Sequence, residues 1–388
     1  MDAVPEIPVI RPAEVLRARI ALSAGFLLLG LATGIWAVHI PLVQARLGLD
    51  PGTLGFALFA MAFGAVAGMP LTGWAVGRYG SRPPTAVLMI AYALVFALPI
   101  LAPNIVLLFI GMVLFGAAMG GLDVAGNVQA TEIEAARGRP TMSSFHGFYS
   151  VGGLAGSLLG AAIISLGFGD GSGAAAAAVV FIAIAAVAAA NLLPSPRPLH
   201  TGPRFALPNR AVVGLGLLAF LCFASEGAIG DWSALYLSSV THATAAAAAT
   251  GYALYSCAMA FCRLTGDAIV ARLGSQLTVS LGGGLIALGM AIAILSPWPL
   301  LGAFGFGLVG VGAANIIPVV FRASARVDGV PANSGIAATT TLGYFGFLLA
   351  PPLIGQLADA FGLGFGLSVV GLAGLVIAAM AASRQWDS

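Results

Sequence analysis

Lysine is absent from this chain of 388 residues, and only 8% of its residues carry a formal charge. A soluble domain carries roughly 25% charged residues, so composition excludes an ordinary globular enzyme and a disordered regulator. The charges also balance. Sixteen basic residues, all Arg, face fourteen acidic ones, which leaves a net charge of +2 and no basic stripe of the kind a nucleic-acid binder needs. Cysteine is scarce: Cys222, Cys257 and Cys262, an odd number, all inside apolar segments. That excludes a disulfide framework and a zinc site, and reads as small buried fillers. No nucleophile–base or metal-ligand spacing occurs, so no enzymatic activity, cofactor or metal is expected. The first nineteen residues lack the order of a cleavable signal peptide, with three acids, three Arg and three Pro ahead of the first apolar run, and read as a retained cytoplasmic tail.

What the chain has instead is hydrophobicity. Apolar residues make up 60% of it, the mean hydropathy is +1.02, and 53 Gly and 22 Pro are spread through apolar stretches, as in close-packed membrane helices. A helix needs about 20 mostly apolar residues to cross a bilayer. Cutting the sequence at charges and Pro/Gly/Asn clusters yields twelve such runs: 20–40, 53–76, 84–102, 105–131, 141–167, 174–193, 211–239, 247–271, 276–296, 300–321, 333–357 and 364–382. With the N-terminus inside, fourteen of the sixteen Arg fall in inner segments, Arg46 alone lies in an outer loop, and Arg263 lies within the eighth run. This asymmetry predicts an inner membrane protein with both termini cytoplasmic.

The Pro- and Arg-rich stretch 194–210 separates two six-helix halves, 20–193 and 211–382, flanked by tails at 1–19 and 383–388. The halves echo each other. Gly34-Ile35-Trp36-Ala37 returns as Gly230-Asp231-Trp232-Ser233 after 196 positions, Arg78-Tyr79-Gly80-Ser81 as Arg272-Leu273-Gly274-Ser275 after 194, and Phe115-Gly116 as Phe306-Gly307 after 191. A duplicated six-helix unit predicts an all-α membrane protein with a solute site between its halves near the bilayer midplane.

These residues resemble the major facilitator superfamily over the whole chain. Its loop signature after the second helix is matched by Gly73, Arg78, Gly80 and Arg82, while Gly77 stands where the family has Asp. Within the superfamily the chain resembles the MosC/YbjJ-like group, through Trp36-Ala37-Val38-His39-Ile40-Pro41 and the stretch Glu226 to Leu237. It is more distantly similar to the fucose–proton symporters, whose fourth helix carries an acid followed four residues later by Asn, as in Asp123 and Asn127. The resemblance implies a proton-coupled secondary transporter of a small sugar- or cyclitol-like solute, acting as a monomer by alternating access in the lipid bilayer. A drug–proton antiporter is the alternative, echoed weakly by Gly152, Gly156, Ser157 and Gly160, a spacing that equally suits helix packing.

Ionisable groups inside a membrane cost roughly 2.5–3.5 kcal/mol each on the lenient insertion scale, so they mark candidate sites. Asp123 and Asn127 share a helix face. Asp123 is a candidate proton carrier, and packing of the fourth helix on the first is its bland alternative. Glu226 is a second proton candidate. Asp231, five residues on, is turned about 140° away and suits solute contact beside Trp232 and Tyr236. Arg263 and Asp267 stand four apart and predict an i,i+4 ion pair; with Arg78, Arg82 and Arg272 they form a predicted gate. His146, Trp36, Tyr255 and Asn315 complete the predicted solute contacts: imidazole and amide for hydrogen bonds, aromatic rings for stacking on sugar faces.

Overall fold

The computed structural model describes residues 11–138, 141–169, 171–194, 210–330, 332–384 and 386. The predicted linker 194–210 lies almost wholly outside them. All regular structure among the described residues is helical, and eleven helices or helix pairs are long and apolar enough to cross a membrane.

The first half comprises α1 (Pro12–Leu47), α2 (Pro51–Tyr79), α3 (Arg82–Val95) with α4 (Ala97–Leu101), α5 (Ile105–Arg137), α6 (Met142–Ile163) and α7 (Ser172–Ala190). The second comprises α8 (Arg210–Ser239), α9 (Ala245–Leu264), α10 (Gly266–Leu295), α11 (Pro299–Ala313) with α12 (Ile316–Ser324), α13 (Ala332–Phe361) and α14 (Leu363–Ser383). Taking α3 with α4 and α11 with α12, the chain crosses the bundle twelve times, and α9, at 20 residues, is the crossing beyond the eleven. Two predicted limits need correction. The first run, 20–40, is the middle of a helix of 36 residues that opens on Pro12 and closes on Gly48 in the left-handed conformation. The eighth run, 247–271, breaks at Thr265, so Arg263 and Asp267 stand on different helices.

The echo at 194 is a structural repeat, whereas the motifs at 196 and 191 fall out of its register. Gly80 has φ 81° and ψ 173°, and Gly274 has φ 76° and ψ 165°. Essentially only glycine occupies that region, and it turns the chain at the same point of both halves. Gly48 and His242 are both left-handed, at φ 63° and 54°. Two residues on, Asp50 accepts a hydrogen bond from the Thr53 N–H, as Thr244 does from the Ala247 N–H, each capping the next helix. Packing repeats as well. In the first half α1 lies on α6 and α2 on α5; in the second α8 lies on α13 and α9 on α11. Gly116 meets the Met61 carbonyl as Gly310 meets that of Tyr255, so each backbone approach depends on a missing Cβ.

The halves join along α2 with α13, α6 with α9, and α1 with α8. Call the face where α1 begins and α14 ends the Arg-bearing face. At the opposite face the join is tight: a Cβ on Gly55 would sit 2.7 Å from the Pro351 carbonyl, and one on Gly355 2.6 Å from that of Pro51. Val38 of α1, Ala161 of α6 and Ala249 of α9 close a small apolar cluster there. Toward the Arg-bearing face a Cβ at Gly73 or Gly77 of α2 meets nothing within 4 Å. Arg46, the one predicted outer arginine, donates from Nη2 to the carbonyls of Ile100 (2.6 Å) and Ala102 (3.0 Å). It satisfies the orphan carbonyls at the end of α4, which accounts for its place on the wrong face.

Candidate functional site

Half-way along α5, Asp123 and Asn127 project from one face as their spacing requires, and Asn127 Nδ2 donates to Asp123 Oδ1 at 3.0 Å. Tyr344 of α13 is coupled to Asp123 from the other half through its hydroxyl. Asp123 has no ion-pair partner among the described residues.

Half-way along α8, Glu226 faces α9. Arg263 Nη2 lies 3.3 Å from both of its carboxylate oxygens. Cys222, one turn earlier, turns its Sγ toward Glu226 at 3.7 Å. The expected partner, Asp267, has its side chain outside the described residues. The helix breaks at Thr265 between it and Arg263, and the partner described for Arg263 belongs to another helix. Arg263 thus meets Glu226 half-way along α8, inside the bundle.

Tyr149 of α6, which the sequence reading did not single out, stands near both carboxylates. It lies within electrostatic reach of Glu226, Arg263 and Asp123, and is coupled to Thr33 of α1. Thr33 in turn meets the Tyr92 hydroxyl at 3.2 Å. His146, one turn before Tyr149, sets its ring edge against Phe26 at 5.4 Å and reaches Arg263 electrostatically across the seam. Five helices thus bring Asp123, His146, Tyr149, Glu226, Arg263 and Tyr344 into one polar cluster between the halves. A signal for Tyr149 was present: three residues from His146 places it on the same helix face.

Other expected members lie elsewhere. Tyr236 is buried, donates to the Ile294 carbonyl at 3.1 Å and packs edge-on against Phe306, so it holds the second half together and does not face the seam. Asn315 occupies the break between α11 and α12 and donates to the Cys262 carbonyl at 3.2 Å. Glycine at 266 makes room for it, because a Cβ there would collide with its side-chain oxygen. Asn315 is therefore a clasp between two broken helices. Trp36 and Trp232 are 2% and 0% exposed, and both indole nitrogens are buried without a hydrogen-bond partner. Tyr255 is buried against Tyr252 with ring centroids 6.0 Å apart, within electrostatic reach of Glu226. Asp231, half-buried, reaches Tyr252 and makes no hydrogen bond to a described residue.

At the Arg-bearing face Arg78 lies over the rings of its neighbours Trp74 and Tyr79, 5.9 and 5.7 Å from their centroids. Arg82 donates to the Ala190 carbonyl at 3.1 Å, and Arg272 is exposed. Ser81 donates to Glu132 at 2.7 Å, while Gln129 ties both to the Leu193 backbone. These contacts bind α3, α5 and the end of α7 within one half. Gly152, Gly156 and Gly160 press α6 onto α1 at Leu27, Leu31 and Ile35, which is the packing role. Cys222 and Cys262 are buried fillers as expected, whereas Cys257 is exposed on the outside of α9.

A family model described as Major Facilitator Superfamily matches residues 22–351. Over 94% of each chain the sequence is 37% identical to an uncharacterized MFS-type transporter of Yersinia pestis. It is 33% identical to the membrane protein MosC of Rhizobium meliloti, over 92% of this chain and 88% of that one. In fold it is similar to the nucleoside transporter NupG, in a D323A mutant, with a TM-score of 0.77, 14% identity and coverage of 95% and 100%. It is likewise similar to a D-xylose–proton symporter, with a TM-score of 0.76, 15% identity and coverage of 95% and 97%.

Proposed function

The chain belongs to the major facilitator superfamily, and from that premise we propose a proton-coupled transporter of a small, polar, sugar- or cyclitol-like solute. A secondary transporter of this family needs a site reachable from each side in turn, and the seam between the halves supplies the place. The Arg-bearing face is then the cytoplasmic one, in keeping with the positive-inside rule, and the close approach at Gly55 and Gly355 lies on the outer side.

One observation carries the coupling. Asp123 is a carboxylate half-way through a membrane helix whose bonded neighbours, Asn127 and Tyr344, are both neutral. A permanent structural charge would be matched with a cation, as Glu226 is with Arg263. A carboxyl that must gain and lose a proton is better served by neutral partners, which can hydrogen-bond either form. The polar solute reading rests on the hydroxyl, imidazole and amide groups of Tyr149, His146 and Asn127 lining the same seam. In reconstituted vesicles an imposed proton gradient drives solute accumulation above equilibrium, and collapsing it with a protonophore returns the solute to equilibrium. Uptake that only equilibrates, with or without the gradient, rules out proton coupling. Export of lipophilic cations in exchange for protons favours the antiporter instead.

A further inference from the structure

Arg263 is the one cation in the polar cluster, and half of its binding capacity is idle. Both of its short contacts to Glu226 come from Nη2, at 3.3 Å. Charge-assisted bonds of this kind close to about 2.7–2.9 Å, and a guanidinium facing a carboxylate normally engages two nitrogens in parallel. Here Nε and Nη1 make no hydrogen bond to a described residue. The Arg263 side chain is 30% exposed against 13% for Glu226, so its open edge faces the seam.

The residue is also held firmly in place. It is the penultimate residue of α9, and the carbonyl just before it, that of Cys262, is taken by Asn315. Gly266 lets that clasp sit close. A costly charge on a fixed backbone, loosely matched and half open, suits a ligand more than a fold. The open fork of a guanidinium matches a carboxylate, and His146, reaching Arg263 from the other half, stands where such a ligand would touch both halves.

We propose that Arg263 anchors a carboxylate on the transported solute, so that the cargo is an acidic polyhydroxy compound such as a sugar acid. This rests on the transporter reading above and narrows its solute class. The charge balance then ties cargo to proton. Glu226 and Arg263 are neutral as a pair; a solute carboxylate on Arg263 leaves one negative charge in surplus, and the proton taken up by Asp123 in the same cluster offsets it. The groups facing Glu226 are Arg263 and Tyr255 on α9, Cys222 on its own helix, Tyr149 on α6 and Tyr344 on α13. Arg263 is the one cation among them.

The test compares acids with their neutral counterparts on the intact purified protein: D-glucuronate with D-glucose, and D-galacturonate with D-galactose, by thermal shift and intrinsic fluorescence. An acid binds at least about tenfold more tightly than its neutral partner, a difference of roughly 1.4 kcal/mol. Arg263→Gln leaves Glu226 unpaired and is prone to unfold, so the decisive variant is Arg263→Gln with Glu226→Gln, which removes both charges. It stays folded and loses the preference, while Glu226→Gln alone keeps it. Neutral sugars bound as tightly as the acids, no acid bound at all, or an acid preference that survives in the double variant each overturns the proposal. A neutral sugar that binds and accumulates on a proton gradient does so while leaving the transporter reading intact; a bound solute whose uptake ignores the gradient instead strikes at proton coupling.

Discussion

The two halves share a plan and differ in how each carries charge. The first places a lone carboxylate, Asp123, among neutral partners on an unbroken helix. The second places Glu226 against Arg263 on a helix that stops one residue later, beside another that breaks at Asn315. Their turns, caps and glycine contacts coincide at an offset of 194, down to the backbone angles of Gly80 and Gly274. Duplication therefore accounts for the scaffold, and the departures from symmetry mark the places where chemistry is done. On the proposed function, the first half exchanges a proton and the second holds a charge pair that a ligand can reorganise.

The largest effect comes from disrupting the charged half. Arg263→Gln strands Glu226 in low dielectric, and removing one partner of a buried pair costs about 3–5 kcal/mol, discounted here because Arg263 is partly exposed. Thermal unfolding in detergent shows a marked drop, which Glu226→Gln added to it largely restores. A drop left unrescued would mean that Arg263 stabilises the fold through contacts other than Glu226.

A second comparison tests the seam at the closed face. Trp232→Ala opens a void at a completely buried position, at a cost of about 3–5 kcal/mol where the surroundings do not collapse. Trp36→Ala, buried in the first half at the motif echoed 196 positions later, behaves alike. On the proposed transport cycle, loss of either indole also favours opening on that side, read as faster labelling of an engineered cysteine there. Unchanged labelling in both would confine these residues to packing.

The glycine turns provide a sharper test of symmetry. Gly80→Ala and Gly274→Ala each force a side chain into a region essentially reserved for glycine, at about 1–3 kcal/mol. Equal losses of thermal stability support the repeat, whereas a loss at one site only would show that the matching angles bear unequal strain.

The smallest effect separates the two caps by pH. Hydrogen bonds from the Thr53 N–H and hydroxyl hold the Asp50 carboxyl below the usual carboxylate range. A group lowered in the folded state stabilises it above its unfolded pKa and loses that contribution as pH falls through the folded value. Acidification below about pH 4 therefore weakens the Asp50 cap and leaves that of Thr244 untouched. Asp50→Ala costs about 1 kcal/mol at neutral pH, and a cost unchanged in acid would contradict the assignment.

Most of the scaffold could be read from the chain because long apolar runs and their breakers are local signals. The crossings, the repeat and the Asp123–Asn127 pair all depend on neighbours within a turn or on a motif recurring in order. The site proved harder wherever the partner lay elsewhere in the chain. Arg263 looked paired with Asp267 because the spacing fits a continuous helix, and nothing near Thr265 announces a break as a proline would. The partner it meets among the described residues, Glu226, is 37 residues away. Asn315 looked like a solute contact because a polar side chain in an apolar run suggests one, but the explanation lies in Gly266, on another helix.

The most direct test of the central claim, that Asp123 carries the coupled proton, is the pH inside proteoliposomes loaded with a fluorescent indicator while solute flows inward down its own gradient. The wild-type protein acidifies the lumen as solute enters, and Asp123→Asn admits solute with no pH change. Acidification of the same extent in that variant would contradict the account.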